Sequence, residues 1–482
     1  MSKNDRCCGV SLSVYRQFLS AIFCCIGSLT LGLSLGWSAP AFVKIKNGEA
    51  PFELTIYEQS IVVSALNIGL MIGTYPAGYL MDRIGRKTTL LYASSFSLIN
   101  WILIAFASSE LYLYVARLFA GLWAGAISTL VPIYVTECSE TKIRGSTTTQ
   151  HLVFMSAGIL LGYIIGPQVG YMDFALICGA FTVFFAIVFS FPPESPYFLT
   201  MKGRTEEARA ALVWLRATDD VDNEFKSIEA FIADGTKGRC SYKDLVKNPL
   251  YRRPFFICLV LWFCQKFTGF YTLIAYQTVI LPKKLGVLTS DNCTQIVGVI
   301  ILTSVFIASR LMDATGRKVL LTVSHVGIAV FMGIVGALYA LNDTGYIHIE
   351  DYSYLLVFSF VAYVFSFSIG IGPIASLYTG EVLPQAAKGT AGSVILSLSS
   401  IASAGNTFAF AATANWIGMH WNFFFYSALS VASLVFVHLC LTETRGRTFQ
   451  DIQNNLSVKK KPEMTTIEKS DGSVAHFDGR TS

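Results

Sequence analysis

Gly78-Tyr79-Leu80-Met81-Asp82-Arg83-Ile84-Gly85-Arg86-Lys87 is a short charged stretch between two long apolar runs. One run ends at Met81 and the next begins at Thr88. Each run is long enough to cross a bilayer as a helix, which takes roughly 20 apolar residues. The stretch therefore predicts a very short loop at a membrane face. The pattern returns later in the chain as Asp313-Ala314-Thr315-Gly316-Arg317-Lys318.

The composition of the chain is that of a membrane protein. Of 482 residues, 53% are hydrophobic and only 14% are charged, whereas soluble domains carry about 25% charged residues. The net charge of +5 does not by itself indicate nucleic acid, and we expect none as a partner. The sequence contains no nucleotide-binding loop, metal-ligand cluster or nucleophile–base pair, so we expect neither an enzyme nor a cofactor.

Twelve apolar runs are long enough to span a membrane, which predicts an all-α integral membrane fold with two six-helix halves. A more polar segment with amphipathic helical spacing separates runs six and seven. The predicted division is a cytosolic N-terminus 1–17, an N-terminal half 18–193, a helical linker domain 194–253, a C-terminal half 254–442 and a cytosolic tail 443–482.

The distribution of Lys and Arg predicts the orientation in the membrane. Thirty of the 36 fall in segments on one side when both termini are placed in the cytosol, which is the arrangement that the positive-inside rule favours. The sequons at Asn292 and Asn342 then lie outside, where glycosylation is possible. We therefore expect a multi-pass protein of the plasma membrane.

The two halves repeat one another. Glu137 before Arg144-Gly145 has a counterpart in Glu381 before Lys388-Gly389. Glu194, after run six, has a counterpart in Glu443, after run twelve. Two repeated halves around a central site are typical of a transporter that works by alternating access.

Several motifs at the predicted helix ends carry a resemblance to a known family. They are Gly78-x-x-x-Asp82-Arg83-x-Gly85-Arg86-Lys87, Arg117-x-x-x-Gly121, Pro132-Ile133-Tyr134-Val135-Thr136-Glu137, Arg144-Gly145, Pro193-Glu194-Ser195-Pro196, Gly370-Ile371-Gly372-Pro373-Ile374 and Glu443-Thr444-Arg445-Gly446-Arg447-Thr448. With these motifs the chain resembles the sugar porters of the major facilitator superfamily, and among them the insect trehalose and animal glucose facilitators. The resemblance runs from about residue 18 to residue 452. It implies the twelve-helix major facilitator fold.

Charged residues at the cytosolic helix ends are expected to form a gate. The resemblance implies that they stabilise the outward-facing state, since ion pairs that open in one state and close in the other bias a two-state equilibrium. The expected gate residues are Asp82, Arg86, Glu137, Arg144, Asp313, Arg317 and Glu381. For Arg83 and Lys87 plain positive-inside anchoring is the favoured interpretation. Run ten is expected to break near Gly370 and Pro373, because proline donates no backbone hydrogen bond.

The expected substrate site departs from the family. Sugar porters of this type carry Gln-Gln-x-Ser-Gly-x-Asn in run seven, and this chain has Gln265-Lys266-Phe267-Thr268-Gly269-Phe270-Tyr271. Family positions in runs five, eight, ten and eleven fall on Leu152, Ile301, Ala375, Ser376 and Ser399-Ser400. Most of the polyol-contacting set is therefore replaced. The residues expected to contact substrate are Gln265, Lys266, Tyr271, Ser376 and Trp37.

The function predicted from these features is facilitated diffusion of a small polar solute. Run one contains no acidic residue, whereas proton-coupled sugar porters typically carry an Asp there. The first hypothesis is uniport of a sugar such as trehalose or a hexose. Lys266 near mid-membrane supports a second, transport of a non-sugar small solute such as an anion, because a lysine there is costly unless it faces a wet cavity. The third is a solute sensor that transports little.

Overall fold

A computed structural model describes residues 6–7, 10–140, 142–235, 241–282, 284–285 and 288–445. In these residues the fold is helical apart from two short antiparallel hairpins. The first pairs β1 (Arg6–Cys7) with β2 (Val10–Ser11), and the second pairs β3 (Lys284–Leu285) with β4 (Leu288–Thr289). Twelve helical segments of the described chain are long and apolar enough to cross a membrane, as predicted.

The N-terminal half contains spans one to six. Its helices are α1 (Leu12–Gly36), α2 (Ser38–Lys46), α3 (Ile56–Ile84), α4 (Arg86–Ala105), α5 (Glu110–Cys138), α6 (Arg144–Ile165) and α7 (Tyr171–Phe189). Helices α1 and α2 form one span together.

Helix α1 begins at Leu12, six residues before the predicted start of the N-terminal half at residue 18. The prediction stopped at the polar residues of the first turns, but these are hydrogen-bonded. Ser13 Oγ donates to Glu140 Oε1 at 3.1 Å, and Gln17 Nε2 donates to the same oxygen at 2.7 Å.

Four short helices follow the N-terminal half at one face of the bundle, here called the linker face, and the first three pack into a small cluster. They are α8 (Pro196–Met201), α9 (Thr205–Arg216), α10 (Asp222–Gly235) and α11 (Tyr242–Lys247). Phe198, Leu212 and Phe225 contribute to a small apolar core of their own. Arg216 connects the cluster to α5, since its guanidinium donates to Glu224 at 2.6 Å and to the Cys138 carbonyl at 3.0 Å.

The C-terminal half contains spans seven to twelve. Its helices are α12 (Pro249–Lys266), α13 (Phe270–Ile280), α14 (Ser290–Thr315), α15 (Arg317–Asp343), α16 (Ser353–Ile369), α17 (Ile371–Val382), α18 (Gln385–Trp416) and α19 (Met419–Cys440). Helix α12 thus begins inside the segment 194–253 that was predicted to be cytosolic. The domain division as a whole remains a prediction.

Spans seven and ten are each made of two helices. The break at Gly370 was predicted and is confirmed: α16 ends at Ile369 and α17 begins at Ile371. The break in span seven was not predicted. It lies at Gly269, whose φ of +79° suits glycine, and the Tyr426 ring lies 2.5 Å from where a Cβ would be.

The predicted glycosylation residues lie at helix ends. Asn292 is in the first turn of α14 and Asn342 in the last turn of α15. Cys293, next to Asn292, is fully buried within α14. The side chain of Asp313 and residues 446–482, which include most of the predicted tail, lie outside the described residues.

Candidate transport site

A cavity of about 2280 Å³ lies between the two halves. It reaches from the middle of the bundle to the linker face, because its lining runs along α3 from Leu66 to Asp82 and along α17 from Gly372 to Glu381. Polar and aromatic lining residues include Asn67, Gln150, His151, Trp262, Gln265, Lys266, Tyr271 and Ser376. The cavity is large enough for a mono- or disaccharide, since pockets for small molecules usually measure about 300–1,000 Å³.

The two halves are in contact beyond the inner end of the cavity, toward the opposite face. Ser64 Oγ of α3 donates to the Ala404 carbonyl of α18 at 3.1 Å. The rings of Tyr57 and Phe408 meet edge to face with centroids 5.0 Å apart. The bundle is therefore open at the linker face and closed at the opposite face.

Lys266 lies at the inner part of the cavity. It is the last residue of α12 and close to the midpoint of the span Pro249–Ile280. Its side chain is 9% exposed, and its Nζ lies 4.0 Å from the Tyr271 ring centroid and 5.6 Å from that of Trp262. Within the described residues, no carboxylate lies within ion-pair distance of this Nζ.

Gln265 contacts the first residues of α17, directly after the break at Gly370. Its Nε2 donates to the Gly372 carbonyl at 2.7 Å and to the Ile371 carbonyl at 3.3 Å. Its Oε1 is buried and accepts no hydrogen bond from the described residues. Ser376 lines the cavity one turn farther along α17 and donates to the Pro373 carbonyl at 3.0 Å. The site thus offers acceptors to a substrate that carries hydroxyl groups.

Trp37 does not line this cavity, unlike the other four residues that were expected to contact substrate. It is fully buried toward the opposite face. The Arg117 guanidinium lies 5.3 Å above its ring and donates to Ser34 and Ser38 of the same span. In this conformation Trp37 packs the closed side of the bundle.

Three residues beside the site were not selected from the sequence. Trp262 lines the cavity and donates from Nε1 to Thr379 Oγ1 at 3.0 Å. Its spacing of one helical turn before Lys266 was a usable signal. His151 lines the α6 side, with Nδ1 2.6 Å from Ser28 Oγ. Asn406 donates to the Lys266 carbonyl at 3.4 Å, and no sequence pattern indicated this contact.

Three of the expected gate residues of the N-terminal half form a compact ion-pair cluster at the linker face. Arg86 Nε and Nη2 donate to the two carboxylate oxygens of Glu137 at 3.0 and 2.9 Å. Asp82 lies 3.7 Å from the same guanidinium, and Ser195 Oγ donates to Glu137. Arg144 lines the cavity nearby.

The C-terminal half has the equivalent cluster. Arg317 Nη2 donates to Glu381 Oε1 at 2.8 Å, and Thr444 Oγ1 donates to Glu381 Oε2 at 2.6 Å. The two ion pairs, Arg86 with Glu137 and Arg317 with Glu381, therefore each connect helices of one half, and both are formed while the linker face is open. Their role as a gate remains a prediction.

A glutamate caps the helix that carries each arginine. Glu194 accepts from the backbone N–H groups of Arg86 and Lys87 at 3.0 Å. Glu443 accepts from those of Arg317 and Lys318, also at 3.0 Å. Partial burial favours a higher pKa for Glu443, but the backbone donors outweigh it and hold the pKa below its usual value.

Comparison with known families fits this geometry. The family model described as "Sugar (and other) transporter" matches residues 21–456. The chain belongs to the sugar (and other) transporter family. Members are membrane transporters, so this family member is not an enzyme.

Curated relatives that match the chain are also named as transporters. The chain is 31% identical over 452 residues to the facilitated trehalose transporter Tret1 of Culex quinquefasciatus, covering 93% of this chain and 87% of that protein. It is also 31% identical over 447 residues to Tret1 of Aedes aegypti, covering 92% of this chain. The chain spans only 55% of the length of that second relative.

Solved structures show that the fold is the one expected. A structure of the MFS (major facilitator superfamily) proton:xylose symporter XylE matches with a TM-score of 0.74 and 21% identity, over 92% of this chain and all of that one. A partially occluded inward-open XylE from E. coli matches with a TM-score of 0.76 and 20% identity, over 90% of this chain and all of that one. This member of the sugar (and other) transporter family therefore has the major facilitator fold.

Proposed function

We propose that the protein moves a sugar, such as trehalose or a hexose, across the plasma membrane by facilitated uniport. The observation that carries this proposal is the cavity, which is open at one face, closed at the other and lined at mid-membrane by Gln265, Tyr271 and Ser376. Such an arrangement is one end state of alternating access. The curated relatives named as facilitated trehalose transporters support a sugar as the substrate.

The linker face is assigned to the cytosol. Most Lys and Arg residues of the described chain belong to segments at this face, including those of α9–α11 and the loop before α4. Both termini then lie in the cytosol, Asn292 and Asn342 lie outside, and the structure corresponds to the inward-open state.

Uniport is favoured by the absence of an acid deep in the described part of the cavity. The acidic residues of its lining are Asp82 and Glu381, at the linker-face ends of α3 and α17. Helix α1 carries no acid in its described residues. Among the described residues, no carboxylate in the inner cavity is therefore available to exchange its proton with substrate binding, and we expect a concentration gradient to drive transport.

Uptake of labelled trehalose, glucose and polyols into oocytes tests this proposal. Gln265→Ala should raise the KM for the transported sugar by about tenfold, because it removes an unpaired acceptor and the bonds to Gly372 and Ile371; tenfold corresponds to about 1.4 kcal/mol. Gln168→Ala, an exposed residue at the opposite face, is the matched control. Absence of sugar uptake, with the protein verified at the surface, would contradict the proposal.

A further inference from the structure

We propose that Lys266 makes this site selective for a sugar that carries one carboxylate, such as a hexuronate or an aldonate. This inference rests on the proposed function and specifies the substrate class of the same cavity. It starts from the position of the lysine, which is more than nine-tenths buried, close to the midpoint of span seven and at the inner end of the cavity.

The depth of Lys266 separates it from the other charges that line the cavity. The remaining charged lining residues of the described chain lie near the linker-face ends of their helices; they are Asp82, Arg144, Arg310, Arg317, Glu381 and Lys388. Positive charge at those ends follows from membrane orientation alone. Lys266 has no such explanation, because its side chain is too far inside the bundle to reach either interface.

The side chains around Lys266 attract its ammonium group but do not neutralise its charge. The Tyr271 ring, 4.0 Å from Nζ, and the Trp262 ring, 5.6 Å away, offer electron-rich faces that attract a cation. Among the described residues no acid completes an ion pair with it. A bound anion would supply the missing countercharge, and one ammonium matches one negative charge. A dianion would leave a second charge unpaired at mid-membrane, which disfavours sugar phosphates.

The neighbours of Lys266 favour a hydroxylated anion over an apolar one. The unpaired Oε1 of Gln265 accepts a hydrogen bond from a hydroxyl, and the Ser376 hydroxyl oxygen has a lone pair left to accept another. The rings of Trp262 and Tyr271 provide flat surfaces for the carbon skeleton of a sugar ring. Carboxylate recognition by Lys266 and hydroxyl recognition by Gln265 and Ser376 together define a sugar acid.

Uptake into proteoliposomes tests the inference with labelled glucuronate, gluconate, glucose, trehalose and glucose 6-phosphate. Glucuronate or gluconate should be the best substrate. Lys266→Gln should lower its initial uptake rate, and with it the ratio of acid uptake to glucose uptake, at least tenfold. Lys266→Arg, which keeps the charge, should retain at least a third of the acid uptake. Lys46→Gln, an exposed lysine at the opposite face, is the matched control.

The possible outcomes separate this inference from the proposed function. Uptake of neutral sugar that a hundredfold excess of glucuronate does not inhibit would overturn the inference and leave sugar transport standing. Equal acid uptake by the parent protein and Lys266→Gln would also overturn it. Absence of uptake of every compound would overturn the proposed function itself. Size-exclusion profiles of both Lys266 variants distinguish a folding defect from a transport defect, and Lys266→Arg provides the test if Lys266→Gln does not fold.

Discussion

In each half, one glutamate caps the start of a helix, and in the C-terminal half this is Glu443 at the start of α15. Gly316 has a φ of +90°, and a Cβ there would lie 2.9 Å from Glu443 Oε2, so glycine admits the carboxylate to the first turn of α15. Glu443 also accepts from the N–H groups of Thr444 and Arg445 at 3.0 Å. A negative charge at a helix N-terminus is favourable both as a hydrogen-bond acceptor and toward the helix dipole.

Glu443→Gln should lower the thermal stability of the protein in detergent at pH 7. Replacing a helix-capping side chain costs about 1 kcal/mol. Because the pKa of Glu443 is held below its usual value, the carboxylate contributes its full stability above about pH 4.5 and loses it as the pH falls through the folded pKa. The difference in Tm between parent and variant should therefore shrink below that pH. Glu350→Gln, exposed near the start of α16, is the control, and a pH-independent difference would contradict this account.

The sequence could predict which residues line the site where a local motif indicates them, and could not where the position depends on packing between distant segments. Gln265, Lys266, Tyr271 and Ser376 were each selected from a motif or from the cost of a buried charge, and all four line the cavity. Their contact with substrate stays a prediction. Trp37 was placed at the site from its type alone, but it lies between α1 and α2 and packs against Arg117. Helix rotation is set by contacts between distant segments, which one sequence does not display.

At the scale of helices, the ion-pair clusters at the linker face join α4 to α5 in one half and α15 to α17 in the other. Arg86 and Glu137 are 9% and 14% exposed at their side chains and pair through two hydrogen bonds. Bidentate pairs of this kind are among the stronger polar contacts. Each pair therefore favours movement of its half as one body.

Arg86→Ala should lower the initial transport rate at least tenfold while surface expression stays intact. The change leaves the Glu137 carboxylate without its cation, and breaking such a pair costs about 3–5 kcal/mol. Surface biotinylation and uptake are the measurements. Arg83→Ala is the control, since Arg83 is exposed and lies over the Tyr79 ring. The double variant Arg86→Ala/Glu137→Ala should recover part of the lost stability, because it removes the unpaired carboxylate as well. Unchanged uptake by Arg86→Ala alone would refute a functional role for this ion pair.

The breaks in spans seven and ten differ in how far the sequence predicts them. The Gly-x-Gly-Pro pattern of span ten contains enough helix-breaking residues to predict the break at Gly370. Near its break, span seven has only Gly269, and a lone glycine is common in membrane helices. Its break depends on Tyr426 of α19 packing against that glycine, which is a contact across the fold.

At the scale of the whole molecule, contacts between halves at the opposite face stabilise the observed state. Ser64 is 6% exposed, and its hydroxyl meets the Ala404 carbonyl across the interface. Tyr163 of α6 also reaches across, donating to the Ile274 carbonyl at 3.4 Å. Alternating access requires that these contacts separate when the linker face closes.

Ser64→Phe should shift the protein toward the state that is open at the opposite face. The larger side chain overpacks the closed interface, which typically costs about 1–3 kcal/mol, and only the observed state bears that cost. A cysteine introduced at Ser376 should then react about tenfold more slowly with an impermeant maleimide applied from the linker face. Ser95→Phe, exposed on α4, is the control, and an unchanged labelling rate would contradict the assignment.

The position of Lys266 at the midpoint of a span has an electrical consequence. If the cargo is a monoanion, the loaded site is neutral and the empty site is cationic, so voltage acts on the return of the empty carrier. Each cycle moves one elementary charge, which is worth about 2.3 kcal/mol at 100 mV. That energy balances a concentration ratio of about fiftyfold. In a cell with a negative interior, flow through this protein would then run outward until the internal concentration had fallen to about one fiftieth of the external one.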